Sequence, residues 1–367
     1  MIQLYDSLDE LMNAKTEKQT DIELPEFPIP TEDITTTEQI LDLIEFLKEN
    51  KLDTVCSKYR KLVSAEEVIR DFNEMVGLEE PKKVMATQIL SLCNRISKPR
   101  KQEPKKDIRK PQPQEPTERK ESADATLLNT VIYGPPGCGK TTMARVLSQL
   151  YLKFGVIENG KIVHGDRANM IGEYVGDTAP KTKALLNSAL GGVLFIDEAY
   201  QLGHAADGNR CPFAYECINT ITQFITEHEG EIVIILAGYE RDVKENFFAQ
   251  NDGLTRRFPW SYTLTKATPE QLYEIFKSQM RKSKYSIKEN ALSVDLFKKK
   301  DLFNHSGGDT QILFDKCKMI HEKRMFSQLQ TDTILTKVDI KKAFKLFEEQ
   351  KEQETNRDSG PPEGLYT

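Results

Sequence analysis

Residues 134–141 read Gly-Pro-Pro-Gly-Cys-Gly-Lys-Thr, the spacing GxxxxGK[ST]. The apolar run NTVIYG leads into it and TTMARVLSQLYL follows it. This order of strand, glycine-rich loop and helix fixes much of what the chain can become, because such a handover packs as one unit of a parallel sheet. Glycines let successive backbone N–H groups turn toward one anion with no Cβ in the way. The helix N-terminus adds a favourable dipole. Gly134, Pro135, Pro136, Gly137, Cys138, Gly139, Lys140, Thr141 and Thr142 are therefore the candidate phosphate-binding residues. Lys140 is the one expected to reach β- and γ-phosphates, and the Thr141 hydroxyl is expected to ligate Mg2+.

A second segment answers to the first. Val193-Leu194-Phe195-Ile196 reads as a buried strand and ends in Asp197 and Glu198. Two acids after a strand also occur in surface turns. Downstream of a phosphate loop, however, Asp197 is expected to hold Mg2+, usually through water, and Glu198 to orient and polarise an attacking water.

From about 126 to 266, five strand-like runs (NTVIYG, GKIVHGD, GGVLFIDEA, EIVIILAG and WSYTL) alternate with helix-like segments. The alternation predicts an α/β fold, a three-layer P-loop NTPase core with a parallel five-stranded sheet whose strands are fully buried. From 267 the pattern turns helical: a start at Thr268, Pro269 and Gln271, then helices at about 309–328 and 337–350. Residues 267–350 are expected to form a helical lid, and 351–367 a loose tail.

Residues 1–60 are expected to be an acidic, partly disordered region containing a helix, since Ile40, Leu43, Ile44 and Leu47 share one helical face. Residues 61–96 read as helices leading into the core. Ser64 with Glu67 gives a capping-box signal, Gly77 a stop and Pro81 a further start. Residues 97–125 are Lys-, Pro- and Glu-rich and read as a flexible linker with nothing to bury.

The 367 residues carry a formal net charge of -6, which does not favour nucleic acid as a partner. The N-terminus has no apolar stretch of the signal-peptide kind, and no run of about 20 apolar residues crosses a membrane. Six cysteines lie scattered without CxxC pairs, which predicts reduced thiols in a cytoplasmic or other reducing soluble compartment.

The stretch from about Met75 to Cys317 resembles the CbxX/CfqX branch of the AAA+ ATPases, which includes red-type Rubisco activase and stage V sporulation protein K. The resemblance rests on MVGLEEPKKVMATQIL, YGPPGCGKTTMARVL, GEYVGDTAPKTKALL, GGVLFIDEAYQL, FAYECINTITQFI, IVIILAGYE and NDGLTRRF, in the family's order. It implies ATP and Mg2+ as cofactors. It also implies a homo-oligomeric ring, a hexamer being the expected size, that threads a protein client of unknown identity. Tyr174, Val175 and Gly176 match the family's aromatic pore loop; the alternative is a Gly-bounded turn with a partly buried tyrosine. Arg256 and Arg257 match the arginine-finger position, with Arg257 the first choice and a salt-bridged surface pair the alternative. Tyr239 stands where a polar sensor is usual. In the lid, HSGGDTQILFDK has Gly307, Gly308 and Gln311 where the branch has a nucleotide-contacting arginine, so lid contact through the backbone is expected. A nucleic-acid-directed AAA+ motor or loader, an ATP-gated scaffold with weak hydrolysis, and an unrelated P-loop kinase are the competing readings.

Overall fold

A computed structural model describes residues 33–54, 56–96, 128–203, 211–251, 253–328 and 332–358. The expected linker therefore lies outside the described residues, as do most of the acidic N-terminal stretch and the last nine residues.

The chain opens with α1 (Thr37–Glu49), whose first turn is closed by Thr36. The Thr36 hydroxyl accepts from the Gln39 backbone at 3.3 Å, and the Gln39 side chain accepts from the Thr36 N–H at 3.0 Å. Ile40, Leu43, Ile44 and Leu47 are buried along one face. Helices α2 (Ser57–Ser64), α3 (Glu66–Asn73) and α4 (Glu79–Ile96) follow. Ser64 does not cap a helix. It ends α2, its hydroxyl donates back to the Lys61 carbonyl at 2.7 Å, and Ala65 joins the two helices in a helical conformation. A cap needs an extended backbone that this position lacks.

The central sheet contains β1 (Thr130–Tyr133), β2 (Ile162–Gly165), β3 (Val193–Ile196), β4 (Val233–Gly238) and β5 (Trp260–Thr263). Its order is β2-β3-β4-β1-β5 and every pairing is parallel. Strands β1, β3 and β4 are wholly buried. The edge strands β2 and β5 are only partly so, which corrects the expectation of full burial. Each has one neighbour and one open side.

Two apolar layers cover the sheet. One contains α5 (Lys140–Lys153) together with α1 to α4, so the packing does not divide at residue 60. Gln88 of α4 is fully buried there. Its amide donates to the Tyr151 hydroxyl at 2.9 Å, and its carbonyl accepts from the Tyr262 hydroxyl of β5. The other layer contains the short α6 (Arg167–Met170), α7 (Thr178–Ser188) and α8 (Pro212–Glu227).

A third, separate core forms the C-terminal part around Phe276, Phe297, Phe314 and Phe347. It is built by α9 (Pro269–Lys282), α10 (Gly307–Gln328) and α11 (Lys337–Asp358), with a two-residue parallel pairing of β6 (Ser286–Ile287) and β7 (Ile334–Leu335). Helix α11 runs eight residues past the end read from the sequence, so residues 351–358 are not a loose tail. Polar pairs sustain that extension: Lys351 with Glu354 at 3.1 Å and Gln350 with Glu354 at 2.8 Å. Apolar periodicity carries no signal for such a stretch. Among the described residues no helix is long and apolar enough to cross a membrane.

Candidate functional site

Strands β3, β4 and β1 are adjacent and parallel, so the loops leaving their carboxyl ends meet at one edge of the sheet. In open α/β sheets that edge is where ligands bind. Gly134 continues the β1–β4 pairing by donating to the Gly238 carbonyl at 3.1 Å. Asp197 and Glu198 leave β3, and Tyr239 leaves β4.

The loop 134–139 ends on Gly139 at φ 100°, the residue before α5. No side chain caps this helix start. Its first N–H groups have no partner within the helix, an arrangement suited to an anion. Gly137 has φ 70°, and a Cβ built on it would lie 2.2 Å from the His305 carbonyl oxygen. Only glycine fits, on both counts.

Lys140 is nearly buried, at 6% exposure. Its ammonium donates to the Gly134 and Pro135 carbonyls, both at 3.1 Å, and lies 3.7 Å from a Glu198 carboxylate oxygen. The Tyr239 ring centroid is 5.9 Å from the same ammonium. Glu198 adopts a left-handed backbone, φ 49°, ψ 44°. A non-glycine residue pays on the order of 1–2 kcal/mol for this, which the surroundings must sustain. Asp197 helps: its carboxylate accepts from the Glu198 N–H at 3.0 Å. The Tyr200 hydroxyl lies beside the Glu198 carboxylate. Burial first, then that neighbouring carboxylate, push the Tyr200 pKa up to about 12. Tyr200 remains a neutral donor. Its ring packs 6.3 Å from that of Tyr239.

Lys140, Glu198 and Tyr239 are thus brought together, with Asp197 exposed beside them and Thr141 half-buried at the first turn of α5. The donor set fits a nucleotide with Mg2+: an uncapped helix start and a lysine for phosphate, a hydroxyl and a carboxylate for a hard cation. Cys138 lies in the same loop, and burial raises its thiol pKa.

Two other candidate groups stand on separate loops. Tyr174 is 72% and Val175 92% exposed, on the turn before α7, with Gly176 at φ 94°. The tyrosine is not a partly buried turn residue. Arg256 and Arg257 lie on a short turn, Thr255–Arg257. Arg257 is committed within its own chain: its guanidinium donates to Thr226 of α8 at 2.9 Å and to the Gly253 carbonyl at 2.8 Å. Arg256 is exposed, and among the described residues no hydrogen bond or ion pair holds its guanidinium. The order of preference read from sequence, Arg257 before Arg256, is thus the reverse of the order of availability.

Sequence reasoning passed over Tyr200 and His305. Tyr200 sits two residues after Glu198, and the left-handed turn at Glu198 folds it back. His305 is brought to Gly137 by the lid, which no local pattern reveals.

Residues 130–256 match the model of the ATPase family associated with various cellular activities (AAA). The chain is 35% identical over 217 residues to a CfxQ homolog of Guillardia theta, covering 58% of this chain and 72% of that protein. It is 34% identical over 237 residues to a putative cfxQ-like protein of Acanthamoeba polyphaga mimivirus, covering 63% of this chain and 58% of the relative. With stage V sporulation protein K of Bacillus subtilis it shares 38% identity over 164 residues, 45% of this chain and 50% of that one. The chain therefore spans only about half to three-fifths of the last two relatives. The match to most of the Guillardia protein, with the AAA family match across the P-loop and strands β1 to β4, carries the assignment: this chain belongs to the CbxX/CfqX (CfxQ) branch of the AAA+ ATPases.

Proposed function

We propose that the chain is an ATP-dependent remodelling motor that works as a ring of identical subunits, a hexamer, on a protein client. The observation that carries this reading is the meeting of Lys140 and Glu198 at the carboxyl edge of the sheet, 3.7 Å apart. When bound, Mg-ATP supplies the phosphoanhydride that is cleaved and a metal that neutralises charge on the phosphates. Lys140 exchanges its loop carbonyls for phosphate oxygens. Thr141 and Asp197 would hold the metal, Asp197 through water. Glu198, on a turn held by the Asp197 carboxylate, orients the attacking water and draws its proton. Catalysis here is positioning and charge stabilisation.

Arg256, with Arg257 behind it, completes the site of an adjacent subunit by donating to the γ-phosphate. A mixing experiment tests this. Glu198→Gln lacks its own base but keeps the arginines; the Arg256→Ala, Arg257→Ala double variant keeps its base but lacks the finger. Each alone is expected to be nearly inactive. Mixed, they form sites pairing a good Glu198 with a neighbour's good arginines, and ATPase activity returns. Two variants that stay inactive together, although they co-assemble, sink the shared-site ring.

Tyr174 is the residue proposed to grip the client. Its ring and Val175 stand out from the surface, where an apolar chain can pack against them. Tyr174→Ala is expected to keep basal ATP turnover and lose engagement of a permanently unfolded polypeptide, read by fluorescence anisotropy. Tyr174→Phe is expected to retain it. Full engagement by the alanine variant would remove Tyr174 from the mechanism. A lysine that improved function would point instead to a nucleic-acid backbone.

A further inference from the structure

The turn that precedes α10 leans on the P-loop. The His305 carbonyl occupies the space a Cβ on Gly137 would need, and Gly307 faces the Gly137 carbonyl, its own Cβ position 3.9 Å away. This turn is braced from several sides. Ser306, 3% exposed and at φ 42°, accepts from the Ala267 N–H at 3.3 Å. Gln279 of α9 donates to the Gly307 carbonyl at 3.0 Å. The His305 N–H donates to the Asp309 carboxylate at 2.6 Å.

Asp309 is fully buried, and its other oxygen lies 2.9 Å from the ammonium of Lys351, in the extended final part of α11. Lys351 is itself mostly covered, with 13% of its side chain exposed. Burial works against its charge, but the ion pairs with Asp309 and Glu354 outweigh that and raise its pKa. One unbroken path of contacts therefore runs from α11 through Asp309 and the His305 backbone to Gly137.

We propose that Asp309 and Lys351 are a positioning pair for nucleotide: they set how the 305–308 turn sits on the P-loop, and so couple the C-terminal helix to nucleotide affinity. The proposal rests on the reading of the P-loop as the nucleotide site. Neither residue touches the phosphates. The pair acts by fixing the carbonyl and N–H groups of a turn whose own side chains supply no arginine. Lid contact through the backbone then depends on a buried charge pair, and loosening it removes contact to nucleotide without removing Lys140 or Glu198.

The hairpin of α10 and α11 carries its own control. At its opposite end Arg324 holds buried Asp339 through two bonds of 3.0 Å. Breaking either pair by removing one charge is destabilising. Only the Asp309–Lys351 pair reaches the P-loop. The test uses the full chain and a fluorescent ADP, with the melting temperature followed in parallel. Lys351→Met is expected to weaken ADP binding by about five- to tenfold or more, the usual range of such couplings. Lys351→Arg is expected to keep most of the affinity. Arg324→Met is expected to lower the melting temperature and leave ADP affinity within about twofold of the parent. Asp309→Asn, which keeps an acceptor for His305 and leaves no buried unpaired charge, serves if Lys351→Met does not fold and is expected to weaken ADP likewise. Unchanged ADP affinity in Lys351→Met or Asp309→Asn, or equal weakening by Arg324→Met, overturns the proposal. A parent protein that binds no ADP, or a Lys140→Ala variant that binds as the parent does, overturns the underlying reading of the site instead.

Discussion

Glu198→Gln is expected to bind ATP as tightly as the parent, within a few-fold, and to hydrolyse it at least about a hundredfold more slowly. The side chains are nearly the same size, so the left-handed turn at Glu198 and the Asp197 bond to its N–H are kept. The change is chemical. A carboxylate accepts a proton from water, whereas an amide does not and presents donors of its own. The backbone turn and the neighbouring Tyr200 are unchanged, so the side chain keeps its surroundings while losing its basicity. Single-turnover measurement at saturating ATP isolates the chemical step from nucleotide exchange. Turnover within threefold of the parent would move the base elsewhere, and Asp197 would be the next residue to examine.

Lys140→Ala is expected to abolish measurable ATP binding. Three of the ammonium's neighbours are already in place: the Gly134 and Pro135 carbonyls and the Glu198 carboxylate. Removing the ammonium leaves a concentration of acceptor oxygens facing polyanionic phosphates without the cation that the loop itself supplies. The nucleotide-free protein also loses two charged hydrogen bonds, each worth on the order of 1–3 kcal/mol, so its melting temperature falls as well. Titration with a fluorescent ATP analogue, alongside a melting curve, separates the two effects. Undiminished affinity in a folded Lys140→Ala protein contradicts the assignment of the loop.

The parts of this molecule legible in its sequence are those where chemistry and local structure share one short stretch. TVIYGPPGCGKT and VLFIDE each join a strand to the reactive side chains that follow it, so their placement at one sheet edge follows from the parallel topology alone. Contacts that depend on tertiary register were not legible. Tyr200 reaches Glu198 because a non-glycine residue takes a left-handed turn, which composition does not disclose. His305 meets Gly137 through the lid. Arg256 and Arg257 look equivalent as letters, yet Thr226 and Gly253 claim only the second. Ser64 and the extension of α11 failed for a related reason: hydroxyls and charged pairs can sustain a helix where a capping rule or an apolar stripe points elsewhere.

The Gln88 network has a consequence for how the chain is made. Gln88 and Tyr262 are 174 positions apart, and the hydroxyl that satisfies the buried Gln88 carbonyl belongs to the last strand of the sheet. At roughly 5–20 residues per second, synthesis delivers Tyr262 on the order of ten to thirty seconds after Gln88. During that interval α1 to α4 have left the ribosome with half of their intended apolar partners, Leu147, Ile235 and Tyr262 among them, still to come. The nascent chain carries an unfilled sheet-binding surface for longer than the helices take to form, and a holding chaperone would find its target there first.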